Sequence, residues 1–159
     1  MPNLYRIVTY QEPSIRERSV EVAAEKITTP EFQEYLDKIE KTFLALPNGA
    51  GLASPQCGIN QRVILVQLSK ERKFMINPEI TKLAEKTTET EEGCFSVPGV
   101  YGMVTRPRRA TVKFIDRHGR RDEMNLKNFE AVLIQHEVDH LDGVLFVDKA
   151  TSITRGLWP

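Results

Sequence analysis

His136-Glu137-Val138-Asp139-His140 lies within Leu133-Ile134-Gln135-His136-Glu137-Val138-Asp139-His140-Leu141-Asp142-Gly143 and sets two imidazoles four residues apart. On an α-helix that spacing is about 40° around the axis and about 6 Å along it. The two rings therefore point the same way. A divalent ion about 2.0–2.1 Å from each ring nitrogen fits between them, and Glu137 reaches a water on that ion without being a ligand. Phe129, Val132, Leu133, His136 and His140 fall at spacings of three and four, which predicts a helix with one apolar stripe. Asn125 or Asn128 is placed to cap its start and Gly143 to end it in a left-handed turn. Burying two imidazoles and a carboxylate without partners is costly, so the pattern points to metal-assisted hydrolysis rather than to core histidines.

A tetrahedral site that keeps one position for water needs a third protein ligand. Downstream of His140 there is no Glu and no His, and Asp142 is too close along the helix to turn to the same ion. Cys94, a thiolate once metallated, is the strongest candidate. One thiolate and two imidazoles suit zinc or ferrous iron.

The rest of the chain agrees with an enzyme domain. Its 159 residues predict one domain, 1–159, with a sizeable core. Lys plus Arg equals Asp plus Glu, 22 against 22, so no global field recruits nucleic acid or an anionic membrane. No apolar run is long enough for a transmembrane helix, and Met1-Pro2-Asn3-Leu4-Tyr5-Arg6 lacks a signal-peptide pattern, so the expected location is the cytoplasm. Two cysteines, Cys57 and Cys94, in such a chain predict metal binding or burial rather than a disulfide.

In chain order, Tyr5 to Tyr10 has strand character, and Ile15 to Val22 is expected to run extended over the surface. Thr29-Pro30 marks a helix start, and Phe32, Tyr35, Leu36, Ile39, Phe43 and Leu46 supply its buried face before Pro47-Asn48-Gly49 ends it. Gly49 to Gly58 is glycine-dense, as a connecting loop or a backbone that something approaches closely; Ser54 and Pro55 exclude a dinucleotide fingerprint. Arg62 to Leu68 and Phe74 to Ile76 predict paired strands, the second ending at Asn77-Pro78. Glu79 to Glu91 suits edge strands, and Arg109 to Asp116 with Arg121 to Leu126 a hairpin whose turn exposes His118. The arginines at 106, 108 and 109, with Arg117, Arg120 and Arg121, read mainly as solvated strand ends. Val144 to Val147 reads as a short strand and Thr151 to Pro159 as a brief tail.

Three motifs, Gly49-Ala50-Gly51-Leu52-Ala53-Ser54-Pro55-Gln56, Glu92-Gly93-Cys94-Phe95-Ser96 and His136-Glu137-Val138-Asp139-His140, stand in the order and at the separations of the peptide deformylases, which this chain resembles over nearly its whole length. The resemblance implies an α+β fold with antiparallel sheets packed around the metal helix. It implies removal of the N-formyl group from the initiator methionine of nascent peptides, with release of formate. Cys94, His136 and His140 would hold the metal, Fe²⁺ in many members, with Zn²⁺, Ni²⁺ or Co²⁺ able to replace it.

Glu137 would move the proton, and the Gln56 amide and the Phe95 N–H would face the oxyanion. Gly49, Ala50, Gly51, Leu52, Glu92 and Gly93 would line the peptide groove, with Phe129, Val132, Leu133 and His136 walling the methionine pocket. The implied partners are formyl-methionyl nascent peptides and, transiently, the ribosome, with no specific nucleic acid, no membrane and a monomeric enzyme. Phe95 stands where Leu is usual, Ser54 where Ala is common, Tyr101 where some members carry Arg, and Gln11-Glu12-Pro13 where Pro-Asp-Pro is more usual. The tail is shorter than the terminal helix of some members.

Overall fold

The computed structural model describes residues 3–159; Met1 and Pro2, at the head of the segment read for a signal peptide, lie outside them. Helix α1 spans Pro30–Ala45, opened by the Thr29 hydroxyl accepting from the Phe32 N–H with proline in its first turn. Its buried face of Phe32, Leu36, Ile39 and Phe43 packs on one side of a five-stranded antiparallel sheet. That sheet runs β1 (Gly51–Ala53), β2 (Val63–Gln67), β3 (Arg72–Leu83), β6 (Arg109–Ile115) and β7 (Arg121–Lys127).

The side-chain alternation of β2 divides the core. Val63 and Leu65 face α1, whereas Ile64 and Val66 face the second helix, α2 (Phe129–Leu141). A smaller antiparallel sheet of β4 (Thr87–Cys94), β5 (Val97–Pro107) and β8 (Ser152–Arg155) closes the other side of α2. The architecture is α+β, with two antiparallel sheets around the helix that carries both histidines. Among the described residues no helix is long and apolar enough to cross a membrane.

Several expectations change. Helix α2 has no single apolar stripe: Ala131, Val132, Leu133, Ile134, Val138 and Leu141 are buried around its circumference because it runs between both sheets. Phe129 is 62% exposed and stands at a rim. Asn128 holds the cap position at φ +56° but makes no side-chain cap bond. Gly143 does close the helix at φ +75°, where an added Cβ would lie 2.2 Å from the Arg16 carbonyl oxygen.

Residues 5–10 form no strand, and Tyr10 already begins a turn; Val8 and Tyr10 instead donate to the Gln56 and Ser96 carbonyls. Ile15 to Val22 is no surface run: it begins within a 3₁₀ turn, Pro13–Arg16, and buries Ile15, Ser19 and Val22. The glycine-dense segment is not a plain loop, since it supplies β1 and then a 3₁₀ turn over Ser54–Cys57. Asn77-Pro78 does not end its strand: Asn77, at φ +51° and bonded through its side chain to the N–H and C=O of Val22, makes a bulge that β3 passes through to Leu83. Strand β3 is accordingly interior to its sheet, while β4 is an edge. Phe146–Asp148 is a 3₁₀ turn rather than a strand, and the tail contributes β8.

Candidate active site

Helix α2 presents His136 and His140, and β4 ends on Cys94 between them. One ligand atom from each lies within 4.8 Å of the others, and Cys94 Sγ is 3.2 Å from His140 Nε2. Donors at bonding distance from one tetrahedral ion are about 3.4–3.6 Å apart, so a modest closing of this triad accommodates it, with a fourth position left for water. Two imidazoles and a thiol are the right chemistry for zinc or ferrous iron. Burial opposes ionisation of Cys94, yet His140 and His136 beside it hold the thiol well below its usual value. The protonated form of His136 is disfavoured by burial but held up by Cys94 and Glu92. The residues fit a divalent metal.

Around the triad the side chains are already oriented. His136 Nδ1 is 2.8 Å from Glu92 Oε1, which leaves Nε2 free to take a metal, and the ring of buried Phe146 stacks on His136 at 6.3 Å. Burial works against ionisation of Glu92, but His136 and the Arg106 guanidinium bring its carboxyl down to about 2. Arg106, 2% exposed, donates to both Glu92 oxygens at 2.6 and 3.0 Å and to Asp139 at 2.9 Å. Asp139 is tied in turn to Lys149.

This network was not legible as such: Arg106 read as a solvated strand end, although alternation with buried Gly102 and Val104 places it inward. Replacing Arg106 by Leu leaves two carboxylates without their cation and is expected to cost about 3–5 kcal/mol of stability. Urea unfolding checks this, and Arg106→Lys should recover only part of the loss because an ammonium cannot make the two-pronged contact.

Glu137 is 2% exposed, and its Oε2 is buried with no hydrogen-bond partner among the described residues. Burial raises its carboxyl above the ordinary range, against the pull of both histidines. It packs on Gly51, where an added Cβ would stand 2.9 Å from Glu137 Cγ and 3.1 Å from Leu133 Cδ1. A Gly51→Ala variant is therefore expected to displace Glu137 and lower kcat/KM on the order of 10²-fold with the metal retained, which steady-state kinetics beside metal analysis would read. The Gln56 amide is fixed by accepting from the Ala53 N–H at 2.9 Å, which turns its Nε2 to Cys94 Sγ at 3.4 Å and Ser96 Oγ at 3.2 Å.

A cavity of about 540 Å³ opens over these groups. It runs between the edge strands β1 and β4, with α2 beneath, and is lined by Gly49, Ala50, Gly51, Gln56, Glu92, Gly93, Cys94, Phe95, Phe129, Val132, Leu133, His136 and Glu137. Leu52 is the exception among the residues expected there, because it is fully buried in the α1 core. Glu92 borders the cavity, but its carboxylate is engaged by Arg106 and His136 and is not aimed at a peptide. The unusual Ser54 has a structural reason: its hydroxyl donates to the Ile59 carbonyl and shares a short bond with the Tyr35 hydroxyl.

Residues 4–156 match the profile of the polypeptide deformylase family. The chain is similar to the peptide deformylase of Fusobacterium nucleatum, with 40% identity over 155 residues covering 97% of this chain and 88% of the relative. Its fold matches a Synechococcus elongatus peptide deformylase in complex with actinonin, with a TM-score of 0.88, 34% identity and coverage of 96% of this chain and 81% of that one. It also matches an Acinetobacter baumannii enzyme bound to Met-Ala-Ser, with a TM-score of 0.88, 31% identity and coverage of 94% and 99%. With the cysteine and two histidines gathered beside a buried glutamate, these likenesses mean that the chain belongs to the polypeptide deformylase family, metal-dependent hydrolases that take the N-formyl group from newly made peptides.

Proposed function

We propose that Cys94, His136 and His140 hold one divalent ion, Fe²⁺ in the native protein, with Zn²⁺, Ni²⁺ or Co²⁺ able to take its place. The ion, when bound, supplies Lewis acidity and acidifies a water. Glu137 accepts the proton of the attacking water at Oε2, and its raised pKa makes it a stronger base than an exposed carboxylate. The same carboxyl then returns the proton to the departing amine, leaving formate and a free methionyl N-terminus. The Gln56 Nε2–H and the Phe95 backbone N–H donate to the oxyanion as the formyl carbon becomes tetrahedral.

The substrate main chain lies as an added strand between the edges of β1 and β4, along Gly49, Ala50, Gly51 and Gly93, and needs few side-chain contacts beyond methionine. Val132 and Leu133, with Phe129 at the rim and His136 behind, wall the pocket for the thioether side chain. Residues 1–159 act as one domain and as a monomer in the cytoplasm, taking nascent chains at or near the ribosome.

The observation that carries this assignment is the buried Glu137 oxygen, without a partner among the described residues, beside a cysteine and two histidines gathered within 4.8 Å. Its test is formate release from formyl-Met-Ala-Ser by anaerobically purified, iron-loaded protein, with acetyl-Met-Ala-Ser as control and metal quantified in the same sample. Rapid turnover of the formyl peptide alone is expected; none with metal fully bound would overturn the assignment. The choice of iron carries its own prediction: aeration should abolish turnover of the iron form as the ion and the Cys94 thiolate oxidise, while a Ni²⁺ form keeps its rate. An iron form unchanged after prolonged aeration would contradict it.

A further inference from the structure

We propose that Lys82, Lys86, Arg108, Arg109 and Lys127 form a surface for the phosphate backbone of RNA beside the substrate entrance. The five come from strands far apart in sequence but adjacent in the fold. Arg109 directly opposes Lys127 in the β6–β7 ladder, and Lys82, on the neighbouring strand β3, lies opposite Thr111, two residues along β6 from Arg109. The Arg108 N–H donates to the Lys86 carbonyl, and the Asn128 N–H to the Arg108 carbonyl.

All five are exposed, and none has an ion-pair or side-chain hydrogen-bond partner among the described residues. The cations read from sequence as one arginine cluster divide here: Arg106 is buried between Glu92 and Asp139, Arg117 is held by Gln33 and Asp37, and Arg108, Arg109, Arg120 and Arg121 are exposed without a side-chain partner among the described residues, the first two of them beside Lys86 and Lys127. Like charges directly opposite in an antiparallel pair destabilise a sheet, so an Arg109–Lys127 pair in which neither cation has an ion-pair partner among the described residues is a cost the fold does not require. Two acidic residues lie nearby, Glu85 and Glu130, and the second is engaged by the Ser69 N–H. The patch stays net positive in a chain of zero net charge.

Shape favours a polyanion. A groove of about 540 Å³ is lined by Lys82, Arg109 and Lys127 together with Thr111, Asn125 and a single carboxylate, Glu130, and keeps an excess of positive charge for a phosphate backbone to follow. Two residues past Lys127, the exposed Phe129 ring lies on the rim of the active-site cavity, where a base can stack. A membrane surface would instead call for an amphipathic helix with a broad apolar face; here the cations sit on strands, with only Leu83 and Phe129 as large exposed apolar residues beside them. RNA held there would keep the substrate entrance close to the particle that makes the peptide. That last step rests on the deformylase assignment, whereas the binding surface does not.

The test is fluorescence anisotropy of the metal-loaded enzyme with a fluorescein-labelled 20-nucleotide RNA at 50 mM salt. Binding is expected, weakening at least tenfold by 200 mM salt. The triple variant Arg108→Glu, Arg109→Glu, Lys127→Glu should bind at least tenfold more weakly and turn over formyl-Met-Ala-Ser at the wild-type rate. Lys26→Glu, Lys41→Glu, Lys70→Glu, an equal charge change at other exposed lysines that have no ion-pair partner among the described residues, should cost less than threefold. A milder Arg108→Gln, Arg109→Gln, Lys127→Gln triple, expected to lose at least fivefold, serves should the first fail to fold. No RNA binding at 50 mM salt, equal losses in both Glu triples, or a preference for phosphatidylglycerol vesicles over RNA would each overturn the proposal. Wild-type turnover without RNA binding removes this surface alone, and RNA binding without turnover removes the deformylase assignment alone.

Discussion

Replacing Glu137 by Gln is expected to lower kcat for formyl-Met-Ala-Ser on the order of 10³-fold while the bound metal stays in place. The substitution keeps the side-chain volume that packs against Gly51 and Leu133, so the cavity keeps its shape. What would be lost is the proposed proton acceptor, whose buried Oε2 has no partner among the described residues, and with it the proposed later role of the same group as acid toward the leaving amine. The neutral amide should also be easier to bury than a carboxylate, so Glu137→Gln is expected to be at least as stable as the parent. Single-turnover rates beside metal analysis and urea unfolding separate the cases. A variant within tenfold of the parent rate would remove Glu137 from the chemistry, and one that lost its metal would make it a structural residue.

How much of this was legible beforehand depended on whether a residue's partners lay close in sequence. The His136 and His140 pair, the Thr29-Pro30 start of α1 and the Gly143 stop are local patterns, each decided within a few residues, and each stands in the fold as read. Arg106 was misread because its partners Glu92 and Asp139 lie 14 and 33 residues away, and a charged residue beside Pro107-Arg108-Arg109 carries no local sign of burial. The tail strand β8 was missed for a related reason: its four residues are all exposed, so no buried alternation marks them, and only pairing with β5 makes them a strand. Asn77-Pro78 looks like a strand end until Val22, from a segment 55 residues earlier, supplies the bonds that stabilise a bulge there. Leu52 shows the limit of motif reading, since it sits inside a groove-forming motif but alternation turns its side chain into the α1 core.

Cys94→Ala is expected to strip the protein of its metal and of measurable turnover. Of the three donors only the thiolate brings negative charge, and its surroundings are built for that form: His140 and His136 outweigh burial to hold the thiol well below its usual value, and the Gln56 Nε2–H and Ser96 N–H both donate to Sγ at 3.4 Å. Alanine leaves two imidazoles with no counter-charge. Affinity should then fall by far more than the roughly 10–100-fold expected when an outer partner such as Arg106 is removed. Metal per chain after dialysis against EDTA is one readout. The other is the rise in Tm on adding metal, which follows binding by mass action and should vanish in the variant. Cys57→Ala is the matched control, because Cys57 is buried in the α1 core with its thiol pushed up to about 12 by burial, and its loss should leave metal and turnover in place. A Cys94→Ala protein that kept one equivalent of metal through dialysis would mean that another group completes the site, and the mechanism built around Cys94 would have to be abandoned.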